Sequence, residues 1–252
     1  MQTAGLIALS RQSALERSID AIAQNVANMN TAGYKSQHIR FREFIEEPDP
    51  SAPVGRKIDY VIDQGMVPDF EQGAFESTGA TYDLALRGKG FFAIQTPNGE
   101  RYTRNGHFTL DVNGQLVTGD GQPVLGTNGQ PINIGRTITN ISIAQDGTIT
   151  GTTPPATAPT QIGQLRVVTF TDPQKLQRQD ASLFSAYPTI PPQIDQIPQV
   201  VQGMIEKSNV QAVVEMTRLI SAQRSYDAAR TLSDTTSQLS QTAIQRLGQR
   251  AA

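Results

Sequence analysis

His38 and His107 are the two histidines among 252 residues, and cysteine is absent. Without cysteine there is no disulfide, no thiol nucleophile and no cysteine-ligated zinc. A histidine metal site would need paired spacing of the HxH or HxxxH kind, or several carboxylates, and neither spacing occurs. Gly88-Lys89-Gly90 places a cation among glycines, as phosphate loops do. It leads into the strand-like run Phe91-Phe92-Ala93-Ile94 instead of a helix, and it lacks the Lys-Ser/Thr ending that a phosphate cradle uses. Asp111-Val112-Asn113-Gly114 is half of a calcium loop without the distal glutamate, so it reads as a hairpin turn. The acidic group Glu43, Glu46, Glu47 and Asp49 reads as a solvated linker, and no carboxylate pair stands out for acid–base work on a glycoside. The expectation is a chain with no catalytic residue, no cofactor and no metal.

Charge excludes further classes. Lys+Arg number 21 and Asp+Glu 23, for a net charge of -2. Binding to nucleic acid needs clustered cations to neutralise phosphates, and no such run is present. No apolar stretch approaches the ~18 residues that cross a bilayer, so no membrane insertion is expected. The start of the chain carries Arg11, Glu16, Arg17 and Asp20 and does not read as a secretory signal. A nearly neutral surface favours association, which suits a polymer subunit.

Two helical ends would have to position any assembly surface. From Leu15 the apolar residues fall at Ile19, Ile22, Val26 and Met29, in steps of four and three, the pattern of a helix lying on another helix. Gly33 reads as the stop signal after Asn30. At the other end, Val213, Met216, Leu219, Ile220, Tyr226, Leu232, Leu239, Ala243 and Leu247 lie mostly at three- or four-residue steps after a Ser208–Gln211 capping pattern. Between them the texture is β. Asp83–Leu86, Phe91–Thr96 and Glu100–Thr103 alternate with tight-turn signals at Asn98-Gly99, Asn105-Gly106, Asn113-Gly114, Asp120-Gly121, Asn128-Gly129 and Asp146-Gly147.

The predicted fold is α+β. An N-terminal helix (1–35) and a C-terminal helix (200–252) form a coiled-coil-like pair, with a mostly antiparallel β domain (73–187) inserted. An extended linker (36–72) and a proline-rich spacer (188–199) join the parts. Pro48, Pro50 and Pro53 mark the first connection. Neither helix can bury its stripe alone, and isolated helices of such length are marginal in water. They therefore need each other or copies of themselves.

Three ordered motifs carry a resemblance. Asn25-Val26-Ala27-Asn28-Met29-Asn30-Thr31-Ala32-Gly33-Tyr34-Lys35 resembles the signature that closes the first helix of flagellar rod and hook proteins. Asp83-Leu84-Ala85-Leu86-Arg87-Gly88-Lys89-Gly90-Phe91-Phe92 and Tyr102-Thr103-Arg104-Asn105-Gly106 resemble their shared core. Ser208-Asn209-Val210, Glu215-Met216, Leu219-Ile220 and Ala222–Ala228 resemble the signature that opens their last helix. Length and the run Gly99–Phe108 are most similar to proximal-rod members, with distal-rod members as the alternative and a secreted wall-binding or hydrolysing β module further behind. The resemblance implies a non-enzymatic structural subunit of the periplasmic rod. It implies export through the flagellar type III apparatus without a cleaved signal, and partners that are other rod proteins and copies of the chain itself. The candidate subunit interface is then Leu15, Ile19, Ile22, Asn25, Val26, Asn28, Met29, Asn30 and Gly33 at the front, with Asn209, Met216, Leu219, Ile220, Gln223 and Tyr226 at the back.

Overall fold

The computed structural model describes the backbone of residues 2–46, 58–156 and 158–250. The segment with Pro48, Pro50 and Pro53 lies outside the described residues, as do the side chains of Leu6, Ala243 and Leu247. The chain is α+β. Helix α1 (Gln2–Ala27) is followed by β1 (Gln37–Glu46) and β2 (Ile58–Pro68). Then come β3 (Phe75–Ser77), β4 (Leu84–Arg87), β5 (Phe91–Thr96), β6 (Gly99–Thr103), β7 (Phe108–Leu110) and β8 (Leu116–Thr118). Next are β9 (Thr139–Ile143), β10 (Thr148–Thr152), β11 (Thr160–Gln164) and β12 (Val167–Thr169). A 3-10 turn at Pro173–Lys175 precedes β13 (Gln177–Arg178), β14 (Leu183–Ser185), β15 (Gln193–Ile194), β16 (Gln199–Gln202), β17 (Met204–Glu206) and helix α2 (Ala212–Arg250).

These elements fall into two compact units. The assembly unit comprises Met1–Ala27, Gln37–Val67 and Gln211–Ala252, and the body comprises Asn28–Ser36 and Pro68–Val210. In the body the largest sheet has the order β13-β14-β6-β5-β12-β15, and every pairing in it is antiparallel. β5 explains the core. Phe91 and Ala93 point into one apolar cluster with Tyr102, Val168, Phe170 and Phe184. Phe92 and Ile94 point into another with Leu84, Leu116, Val124 and Ile149. A strand covered on both faces must be apolar at every position, and the unbroken Phe91–Ile94 run meets that requirement. Edge-to-face aromatic contacts, such as Tyr102–Phe170 at 4.8 Å and Phe92–Phe108 at 5.1 Å, fill both sides.

Three expectations need correction. Residues 36–72 are not a linker of extended chain, because β1 and β2 pair with each other as a two-stranded sheet. The spacer at 188–199 holds β15, which pairs with β12 at the sheet edge. Most important, residues 199–206 are not the start of the last helix. β16 pairs with β4 from Gln199↔Arg87 to Gln202↔Leu84, and β17 pairs with β3 from Met204↔Ser77 to Glu206↔Phe75. The run Val200-Val201-Gln202-Gly203-Met204-Ile205 suits either element by apolar spacing alone. The open edges of β3 and β4 decide it. The helix begins after these strands, and the proposed capping box does not form. Ser208 Oγ accepts from Val210 N at 3.2 Å, within its own turn. The first helical bond runs from Glu215 N to the Gln211 carbonyl.

Five of the six turn dipeptides behave as their composition suggests, with Gly99, Gly114, Gly121, Gly129 and Gly147 at positive φ, whereas Gly106 is not at positive φ and is required instead by the Leu84 carbonyl oxygen, 1.6 Å from where a Cβ would stand. Two turns are held by carboxylates. Asp111 accepts from the amides of Asn113 (2.8 Å) and Gln115 (2.7 Å), and Asp146 accepts from the amide of Thr148 (2.9 Å). Those backbone donors hold both carboxyls below the usual range. A depressed folded-state pKa contributes stability above the unfolded value and loses it as pH falls through the folded one. The double variant Asp111→Asn/Asp146→Asn is therefore expected to lose stability at neutral pH and to show a shallower decline between about pH 5 and pH 2, read from urea midpoints across that range.

Candidate assembly site

In the assembly unit α1 and α2 lie side by side and antiparallel. Residues near the end of α1 meet the start of α2, where Asn25 reaches Glu215, and Gln12 Nε2 donates to Tyr226 Oη at 3.1 Å further along. Small residues make the closest seam: Ala21, Ala222 and Ala229 are buried, with Ile22 beside them. Leu15, Ile19 and Val26 on α1 and Leu219 and Tyr226 on α2 are half-buried. The other predicted α2 residues face elsewhere. Met216 is 49% exposed and Ile220 52%, and with Val213 at 79% they form an i, i+3, i+7 strip. At 100° per residue that strip stands on the side of the helix away from Glu215, Ala222 and Ala229. Gln223 is also exposed. Beside the helix pair a groove of about 370 Å³ opens, lined by Leu15, Ile22, His38, Ile39, Arg218 and Ala222 among others.

Asn25 is completely buried, and its amide joins three elements of this unit. Nδ2 donates to the Gln37 carbonyl (2.9 Å) and to Glu215 Oε2 (3.1 Å), while Oδ1 accepts from Gln37 N (2.8 Å). It thus ties the end of α1 to the first residue of β1 and to the first turn of α2. Asparagine suits the place because a short amide offers donors and an acceptor together. The other Glu215 oxygen accepts from Arg218 at 2.6 Å. Ile22 and Asn25 were expected at the boundary between subunits, and here they hold the chain's own fold.

Asn28, Met29, Asn30, Gly33 and Asn209 belong to the body. After α1 the chain turns, with Thr31 N donating to the Asn28 carbonyl (3.1 Å) and Thr31 Oγ1 to Asn28 Oδ1 (3.2 Å). Asn30 is exposed and Met29 half-buried. Gly33 then takes φ +68°, and a Cβ there would come within 2.3 Å of the Arg104 carbonyl carbon. Both the left-handed backbone and the close approach exclude a side chain. Asn209 Oδ1 accepts from Ser36 N (2.7 Å), and its Nδ2 donates to the carbonyls of Asp69 (2.9 Å) and Glu71 (3.2 Å).

Beside this turn lies a group that sequence reading missed. Glu206 is buried, with Oε1 2.6 Å from Lys35 Nζ and Oε2 3.4 Å from Arg104 Nη1. Oε1 also accepts from Gly73 N (2.9 Å), and the Glu206 carbonyl accepts from Gly33 N (2.7 Å). Lys35 Nζ donates in addition to the Glu71 carbonyl at 2.6 Å. Burial pulls the Lys35 ammonium below its ordinary range, and Glu206 opposes that shift. Arg104 donates to the carbonyls of Leu86 and Gly88 and lies 5.0 Å over the Phe91 ring. Arg178 covers the buried Tyr34 ring at 4.3 Å and donates to the Lys35 carbonyl. Lys35 and Arg104 stand inside the motifs quoted above. Glu215 stands inside the C-terminal motif as well, whereas Glu206 becomes recognisable only once its partners, far away in sequence, are known.

Two substitutions test this geometry. Asn25→Ala removes the Asn25 bonds to Glu215 Oε2 and to the Gln37 N–H and carbonyl, at a cost of ~2–3 kcal/mol. Asn25→Asp places a second carboxylate beside Glu215, so its deficit exceeds that of alanine at neutral pH and shrinks as pH falls into the carboxylate range. Thermal unfolding followed by helical circular dichroism measures both. Gly33→Ala costs about 1–2 kcal/mol from backbone conformation alone, plus the clash with Arg104 and Asn105. A urea midpoint within error of the parent would contradict this account.

Comparison with known proteins follows the same three regions. Residues 6–35 match the family described as flagella basal body rod protein. Residues 85–151 match the flagellar hook protein FlgE/F/G D1 domain, and residues 201–246 match the flagellar basal body rod FlgEFG protein C-terminal family. The chain is 36% identical to the flagellar basal-body rod protein FlgF of Caulobacter vibrioides, over 98% of this chain and 99% of that one. It is 34% identical to FlgF of Rhizobium meliloti over 90% of each chain. It is 33% identical to the flagellar basal-body rod protein FlgG of Bacillus subtilis over 83% of this chain and 86% of that one. With near-complete coverage at this identity, and with all three motif regions matched in order, the chain belongs to the flagellar basal-body rod protein family.

Proposed function

We propose that this chain is a structural, non-catalytic subunit of the flagellar basal-body rod, of the FlgF type, and that it polymerises through its terminal helices. The observation that carries the reading is the uncovered strip Val213, Met216 and Ile220 on α2, next to a helix seam already satisfied inside the chain. Apolar side chains at helical spacing and about half or more exposed mark a surface that is covered in the working assembly. A strip on one side of α2 and a groove beside the helix pair are different patches. Pairing a patch with a different one on the next copy gives a head-to-tail contact, which builds a filament instead of a closed dimer. In this reading α1 and α2 act as a coiled-coil-like pair and the β body forms the identity-bearing surface.

The FlgF assignment is supported by coverage. The FlgF relatives span 90–100% of this chain, whereas the FlgG relatives span 83–88%. A periplasmic position in the rod, passage through the type III export apparatus, and contacts with other rod proteins belong to the same proposal. Among the described residues no helix is long and apolar enough to cross a membrane.

Ile220→Asp tests the assembly surface. The side chain is exposed, so the variant is expected to keep the parent's unfolding midpoint to within about 0.5 kcal/mol. In cells lacking the native gene it should be exported but should leave rods incomplete and the cells non-motile. Full motility with Ile220→Asp, and again with Met216→Asp, would sink the idea that this strip joins subunits.

A further inference from the structure

Glu206 pairs with two buried cations, Lys35 and Arg104, and it is the last of the three along the chain. Lys35 and Arg104 are both almost fully buried, and among the described residues each makes its carboxylate ion pair with Glu206, with Asp69 adding a weaker favourable charge toward Lys35. The segment that brings Glu206 brings much else. β16 supplies the partner of β4 in a two-stranded sheet, and β17 supplies that of β3. Gly203 N donates to the Asp83 carbonyl (2.8 Å), Val200 N to that of Gln145 (2.8 Å) and Lys207 N to that of Ala74 (2.8 Å). Asn209 then closes on Ser36, Asp69 and Glu71. Remove this segment and the body keeps two buried cations without their anion, two strands without partners, and the Gly33 and Gly73 amides without acceptors. An isolated buried charge is far costlier than a paired one, so such a state does not persist as a packed core.

We propose that Glu206 is a closing latch: the body completes its fold only when the segment Gln199–Asn209 docks. The sheet core between Pro68 and Ile197 is therefore not an independent domain. Its native packing waits for residues that lie beyond it in the chain. The device needs no ligand and no titration, only that a buried carboxylate arrives late in sequence to neutralise cations that arrive early. This goes beyond the rod assignment and stands or falls separately from it, because it concerns the folding of one isolated chain.

Refolding of the full-length protein from urea, with pulsed hydrogen exchange, is the test. The body amides of Ala93, Leu125 and Ile132 and the latch amides of Gly33, Gly73, Gly203 and Lys207 are expected to gain protection in the same kinetic phase. Glu206→Gln, which keeps the shape but removes the charge, should slow that phase at least tenfold. Ile149→Val, a core change away from the latch, should alter the refolding rate less than twofold and act mainly on unfolding. Body amides protected tenfold earlier than latch amides would overturn the proposal. So would a refolding rate of Glu206→Gln within twofold of the parent. If Glu206→Gln fails to fold at all, the order of protection in the unaltered chain decides alone.

Discussion

A carboxylate with no access to water, shared by a lysine and an arginine, holds the body together. Bringing three charges out of solvent is costly, and Coulomb attraction alone seldom repays it. The geometry at Glu206 adds what is missing. Its carboxylate accepts from an ammonium, a guanidinium and the Gly73 amide, and its backbone carbonyl accepts from Gly33. Oxygens so occupied are satisfied nearly as well as in water, and a wrong register would leave a buried ion alone. The network therefore works chiefly as a condition on correctness. The turn after α1, the start of β3 and the end of β17 meet at one place because no other arrangement neutralises the charges.

The assembly unit solves a related problem with a neutral group. Asn25 ties α1, β1 and α2 through one amide, and Glu215 bonds on both sides, to Asn25 and to Arg218. Around it the seam uses alanines at Ala21, Ala222 and Ala229. Small side chains let the helix backbones approach and leave the larger apolar residues of α2, namely Val213, Met216 and Ile220, for the opposite side. One helix thus presents a closed face and an open face. Packing explains why the open face is left uncovered within the chain.

Much of this was legible from residue order. The Phe91–Thr96 run read as a strand, with its burial on both faces seen only in the structure, and the Asn-Gly and Asp-Gly pairs located turns. The spacing from Leu15 to Val26 located the stripe of α1, but Met29 lies past the helix end at Ala27 and the helix does not run to residue 35. What failed did so for one reason. Residues 199–206 look like the opening of a helix until β3 and β4 are seen to need partners, and that need lies more than a hundred residues away. Glu206 is similarly invisible, since a glutamate buried by its partners looks, in sequence, like any surface glutamate; Glu215 stood within the C-terminal motif, but its partner Asn25 did not follow from that. Gly33 and Asn209 were found through motif resemblance. Both make contacts within the chain, and a signature marks positions under constraint without naming the side of the constraint.

The division of the chain has a mechanical side. The polypeptide crosses from one unit to the other between residues 27 and 28, 36 and 37, 67 and 68, and 210 and 211. A domain strung on a single linker passes any load through one backbone and swivels about its single bonds. Here four covalent connections run in parallel, so tension or twist applied to one unit is divided among four chains. The three connecting segments on the body side, around Lys35, Glu71 and Glu206, are cross-tied where the load enters.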